Sequence, residues 1–160
     1  MIGKNAEKCA GFNRDESGAP VMQAAVQWVK DVSFVVESGS GHAMVIDGAP
    51  EYGGRNIGPR PMELLLMGLG GCASFDVVTI LRKARQDVTD VRTELRAERA
   101  DAIPAVFTAI HLHFIVTGKG LKEPQVRKAI ELSAEKYCSA SAMLAAGGVK
   151  ITHDYAIVEA

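Results

Sequence analysis

Two of the chain's three cysteines sit in similar surroundings. Cys72 lies in the run Gly70, Gly71, Cys72, Ala73, Ser74, and Cys138 is followed by Ser139, Ala140, Ser141 and Ala142. Small neighbours leave room beside each sulfur. Two thiols so placed can work as a pair. One attacks a peroxide oxygen and becomes a sulfenic acid, and the other captures it as a disulfide. That chemistry needs a stabilised thiolate, access for the oxidant and a second sulfur within bridging distance. The alternative is that both are small core hydrophobes, the usual fate of a buried cysteine. Residue types and spacing leave the two readings open. The third cysteine, Cys9, gets no role. An odd count without a C-x-x-C pair excludes a complete disulfide framework.

Several titratable residues could bear on the thiols. Asp76 is four residues after Cys72, hence on the same helix face, where an ionised carboxylate opposes thiolate formation. Arg55 and Arg60 precede the helix and could fold toward the sulfur, and Glu63 lies in its first turn. His111 and His113 alternate on one strand and share a face, and His153 lies in the last strand. Combined with Cys72 or Cys138 they would offer zinc ligands. Their spacing matches no local metal motif, so no metal or other cofactor is expected. Beside Cys138, Glu135 reads as a solvated and Tyr137 as a packed helix-face residue.

The elements that must position these groups follow from periodicity. Residues 1–20 combine turn formers and mixed charge without an apolar period, predicting a flexible N-terminal arm or extension ahead of a domain over 21–160. MQAAVQWV, SFVVES and HAMVIDG alternate and are split by turn signals, predicting three antiparallel strands. APEYGGRNIGPRP predicts an irregular loop. With Pro61 in a first-turn position, a helix is expected from Met62 to about Gln86. Each interior glycine costs such a helix about 1 kcal/mol relative to alanine, so Gly70 and Gly71 should admit a close neighbour.

DVTDVRTELRAERA and VFTAIHLHFIVTG predict two long strands, and VKITHDYAIVE a last one. Between them EPQVRKAIELSAEKYCSASAML predicts one helix with a stripe of Val126, Ile130, Leu132 and Tyr137. The order βββαββαβ defines an α+β fold, with helices packed on one antiparallel sheet. The long helix is apolar on almost every face through Leu81, with Glu63 and Asp76 as its only charges there. One small sheet cannot cover it, so a homodimer is expected.

Composition narrows the partners. At 160 residues, 48% hydrophobic and a net charge of −1, the chain carries no electrostatic footprint for nucleic acid or an anionic membrane. The longest apolar run, Leu64 to Gly71, is far short of the roughly 20 residues of a membrane span, and no signal-peptide pattern opens the sequence. A cytoplasmic location is the expectation.

PMELLLMGLGGCASFDVV, HLHFIVTG, ELSAEKYCSASAML and ITHDYAIVE together resemble the OsmC/Ohr family, the osmotically inducible and organic hydroperoxide resistance proteins, and within it the YhfA-like branch. The resemblance extends from about Met22 to Val158. It implies an intertwined homodimer with the long helices at its centre. It also implies thiol-dependent reduction of organic hydroperoxides and hydrogen peroxide at the dimer interface. Cys72 matches the attacking and Cys138 the resolving cysteine, with a dithiol donor as reductant. In the family's peroxidase branches an arginine from an early strand and a glutamate just after the helix-starting proline support the attacking thiol. Here Met62 follows Pro61, Glu63 comes one position later, and Met22 to Gly48 contains no arginine. Glu63, Arg60, Arg55 and Asp76 are therefore the candidate supports. The alternative is a non-catalytic dimer that keeps the fold and binds a small apolar ligand in a cavity lined by Leu65, Met67, Leu69, Phe75 and Met143.

Overall fold

The computed structural model describes the backbone of Asn13–Arg14 and of residues 20–160, with side chains from Val21 onward. Within the expected arm, β1 (Asn13–Arg14) pairs antiparallel with β2 (Pro20–Val21). The rest of residues 1–20, Cys9 included, lies outside the described residues. The chain divides into two compact units, Met1–Leu64 and Leu65–Ala160.

In the first unit β3 (Ala24–Lys30), β4 (Ser33–Ser38) and β5 (Ala43–Ile46) form the expected antiparallel meander. The Pro/Gly-rich segment after it holds only a 3-10 turn, Pro50–Tyr52. What orders this loop is Asp47, a buried carboxylate at the end of β5. It accepts the Ser33 hydroxyl at 2.8 Å and the backbone N–H groups of Gly48, Arg55 and Ile57 at 2.9, 2.8 and 3.2 Å. Burial alone would raise its pKa. The four donors outweigh burial and hold it at about 2. Gly54 is required here, because a Cβ would fall 1.9 Å from the Gly48 carbonyl oxygen.

The long helix α1 (Pro61–Lys83) leads into the second unit. It stops three residues before the expected end. Arg85 takes a left-handed conformation (φ 55°), while the Gln86 N–H bonds the Leu81 carbonyl and the Arg85 N–H that of Arg82. This is a Schellman closure with arginine at the position glycine usually fills. Leu69, Ala73, Val77 and Leu81, spaced every four residues, are fully buried. With Ile110, Leu112, Phe114 and Val116 of β7 and Val126, Ala129 and Ile130 of α2 they form the core. Each large aliphatic or aromatic side chain there contributes about 1.5–3 kcal/mol. By length and hydropathy α1 could cross a membrane, although its uninterrupted apolar run is short. Its packed stripe makes it a core helix.

The second unit departs from the expected single antiparallel sheet. β6 (Asp87–Arg99) and β7 (Phe107–Lys119) pair antiparallel, but β8 (Lys150–Glu159) runs parallel to β7, in a sheet separate from β3–β5. The chain reaches β8 through a helical crossover, which returns it in the same direction. That crossover is not one helix. It comprises α2 (Glu123–Leu132), a π-turn at Ser133–Tyr137, an extended Cys138, and α3 (Ser139–Ala146). The buried Ser133 hydroxyl donates to the Ala73 carbonyl at 3.0 Å, and the Cys138 N–H to the Ser133 carbonyl at 2.9 Å. The wider turn carries Tyr137 off the stripe. It is half exposed rather than packed, and Leu132 is only partly buried.

Candidate functional site: a thiol pair with a carboxylate

α1 and the start of α3 supply the site, both within the second unit. Cys72 lies half-buried beside the packed stripe, on the side of α1 where Gly68 and Gly71 open onto free space among the described residues. Gly70 has a different role. A Cβ there would sit 2.7 Å from Leu95 Cδ1, so the close neighbour this glycine admits is a sheet side chain. Ser74 fixes the same turn, bonding the Gly70 carbonyl and the Thr93 hydroxyl, both at 2.7 Å.

Cys138 is buried at the N-cap of α3, its sulfur accepting the Ser141 N–H at 3.5 Å. The neighbouring Ala140 amide favours the Cys72 thiolate. Breaking the crossover at Cys138 thus turns the first amides of α3 toward both sulfurs. Cys72 Sγ, Cys138 Sγ and a carboxylate oxygen of Asp76 all lie within 4.8 Å of one another. Burial pushes the Cys72 thiol above its ordinary pKa. The Ala140 amide acts against this, and Cys138 and Asp76 add to it. Burial likewise raises Asp76, whose Oδ2 is enclosed without a hydrogen-bond partner among the described residues.

The other candidates have partners of their own. Arg60 and Glu63 pair with each other in the first unit: the Arg60 N–H and Nη1 donate to the two Glu63 oxygens at 2.8 and 3.1 Å. The backbone bond from Arg60 leads in holding the Glu63 pKa down. Arg55 contributes its backbone N–H to Asp47. The three strand histidines do not converge. His111 bonds Thr152 at 2.9 Å and lies 3.4 Å from Asp154, which His113 also bonds, on the outward sheet face. His153 stands opposite Leu112 in register and faces the other way, lining a cavity of about 450 Å³ with Cys138, Ser141 and Ile151. Of the residues expected to line an apolar ligand cavity, Leu69 is in the core, while Leu65, Met67, Phe75 and Met143 are each more than half exposed. The π-turn and the Ser133 and Ala140 contacts were missed from sequence. No local signal marks them, because the contact that breaks the helix, Ser133 to the Ala73 carbonyl, is tertiary.

A two-unit α+β chain whose long apolar helix carries one cysteine, set against a second at the head of a short helix, defines an OsmC-type thiol protein. The chain belongs to the OsmC-like family, whose model, described as OsmC-like protein, matches residues 53–154. It is 50% identical over 139 residues to Protein YhfA of Escherichia coli strain K12, covering 87% of this chain and all of that protein. Its fold is similar to that of an OsmC-like protein from Mycoplasma pneumoniae (TM-score 0.74, 17% identity, 86% of this chain and 97% of that one). It is also similar to that of an organic hydroperoxide resistance protein OsmC from Legionella pneumophila (TM-score 0.65, 17% identity, 85% and 96%).

Proposed function

We propose that this protein is a homodimeric thiol peroxidase of reducing, cytoplasmic surroundings that reduces organic hydroperoxides through Cys72 and Cys138. The observation that carries the reading is the approach of two thiol sulfurs to within 4.8 Å, at the start of a helix whose Ser141 amide donates to Cys138. Family membership and the likeness in fold to an organic hydroperoxide resistance protein agree with it.

The ionised Cys72 sulfur attacks the outer peroxide oxygen. The O–O bond breaks, the alcohol leaves with one proton, and Cys72 becomes a sulfenic acid. Its proton is taken by the Asp76 carboxylate, whose burial raises its proton affinity, and passed to the departing alkoxide. The Cys138 thiol then attacks the sulfenic sulfur, releasing water and forming the disulfide. A disulfide is about 2.05 Å long, so the sulfurs must close from their separation in the reduced site. Cys138 sits between two helical segments, at a point where a small backbone rotation moves its sulfur. A dithiol donor reduces the bridge by exchange, itself becoming a disulfide.

Mass spectrometry after one equivalent of an organic hydroperoxide tests this. The wild type should lose two hydrogens at a Cys72–Cys138 link, and Cys138→Ser should trap a sulfenic acid on Cys72. Thiols that oxidise no faster than a model peptide would refute it. They would favour instead a non-catalytic ligand-binding dimer, the reading that exposed Leu65, Met67, Phe75 and Met143 support.

A further inference from the structure

We propose that the reduced site binds one Zn²⁺ through Cys72 Sγ, Cys138 Sγ and the Asp76 carboxylate, with water in a fourth position. Zinc takes thiolate at about 2.3 Å and carboxylate oxygen at about 2.0–2.2 Å, so tetrahedral ligand atoms lie about 3.5–3.8 Å apart. The three atoms here are within 4.8 Å of one another, so closing on the ion requires shifts of about 1 Å. Cys72 and Asp76 share one rigid helix at i and i+4, and Cys138 is held by the Ser133 tie to the same helix, so the ligand set is built rather than gathered.

Two further features point to a cation. Asp76 Oδ2 is enclosed and has no hydrogen-bond partner among the described residues. A buried oxygen left unpaired is costly, and a metal bond satisfies it. The set itself is two thiol sulfurs and a carboxylate oxygen, each of which gives up a proton to bind a cation. The amide of Ser141 already donates to the Cys138 sulfur, as outer-shell donors do around ligand thiolates. Two sulfurs select a soft or borderline ion over magnesium or calcium. Binding exchanges the two thiol protons for the metal and involves no electron transfer. It therefore does not rest on the peroxidase reading.

The test uses the full chain, stripped with a chelator, kept reduced by a phosphine under nitrogen and titrated with Co²⁺, which Zn²⁺ then displaces. The expected result is one Co²⁺ per chain with a thiolate charge-transfer band. That band should fall by about half in Cys72→Ser and in Cys138→Ser and persist in Cys9→Ser. Asp76→Asn should keep it but weaken Zn²⁺ binding at least about tenfold. In the wild type, Zn²⁺ should slow alkylation of Cys72 and Cys138 and leave Cys9 unprotected, a readout that depends on no variant folding. Absence of a saturable band, a band indifferent to Cys138→Ser, or full affinity in Asp76→Asn would overturn the proposal. Zinc binding without hydroperoxide turnover would retire only the preceding reading, and turnover without zinc binding only this one.

Discussion

Asp76 is one of the groups that make Cys72 harder to ionise. Burial is the leading influence on Cys72, with Cys138 and then Asp76 adding to it, so neutralising the carboxylate should lower the thiol pKa without restoring an ordinary one. Asp76→Asn should therefore speed Cys72 alkylation near neutral pH by a factor below about tenfold, shifting its pH midpoint downward. A rate profile that does not move would show that the carboxylate is electrically silent at the sulfur. Asp47 supports an independent prediction with the opposite sign of shift. Its folded pKa of about 2 lies below the ordinary 3.8, so its stabilisation is complete above the higher value and fades as pH falls through the lower. Asp47→Asn should lower Tm at neutral pH and flatten the Tm-against-pH curve between those values, as followed by circular dichroism. A parallel displacement of the curve would contradict this. At this scale the two cysteines and the facing of Asp76 were legible, because helical spacing encodes them. The loop-ordering role of Asp47 was not, since its donors come from 8 and 10 residues along an irregular loop and from a strand 14 residues back.

Among elements, the two glycines that look alike in sequence carry different constraints. Gly70→Ala places a methyl 2.7 Å from Leu95 Cδ1 and should cost about 1–3 kcal/mol, measured by urea unfolding. Trimming the neighbour in a Gly70→Ala, Leu95→Ala double variant should return part of that loss relative to the sum of the single changes. Simple additivity would mean that the contact is not the cause. Six of the eight strands among the described residues and the long helix were readable from alternation and period, most clearly where one face is buried, as along β7 and α1. The broken crossover was not. EPQVRKAIELSAEKYCSASAML has continuous helical character, and what interrupts it is tertiary: Ser133 leaves the local pattern to bond the Ala73 carbonyl, 60 residues away. The direction of β8 was hidden for a related reason, since alternation reports which face is buried and nothing about which way a strand runs.

For the whole molecule, the distribution of exposed apolar surface is the strongest statement the chain makes. α1 buries Leu69, Ala73, Val77 and Leu81 on one side, while Leu65, Met67 and Phe75 remain more than half exposed. On β3, Val26, Trp28 and Val29 are exposed as well. A two-fold dimer that covers α1 would bury each such residue twice. Phe75→Ala then removes about 1.5–3 kcal/mol per protomer, or about 3–6 kcal/mol per dimer. The dissociation constant should rise by about 100-fold or more, read by sedimentation equilibrium. Because Cys72 lies toward the same open side of α1 as Gly68 and Gly71, the dissociated variant should also expose its sulfur. Cys72 alkylation should then accelerate on dilution in Phe75→Ala at concentrations where the wild type shows no change. A wild type that sediments as a monomer at micromolar concentration would remove the dimer, and an alkylation rate independent of dilution would separate association from the site.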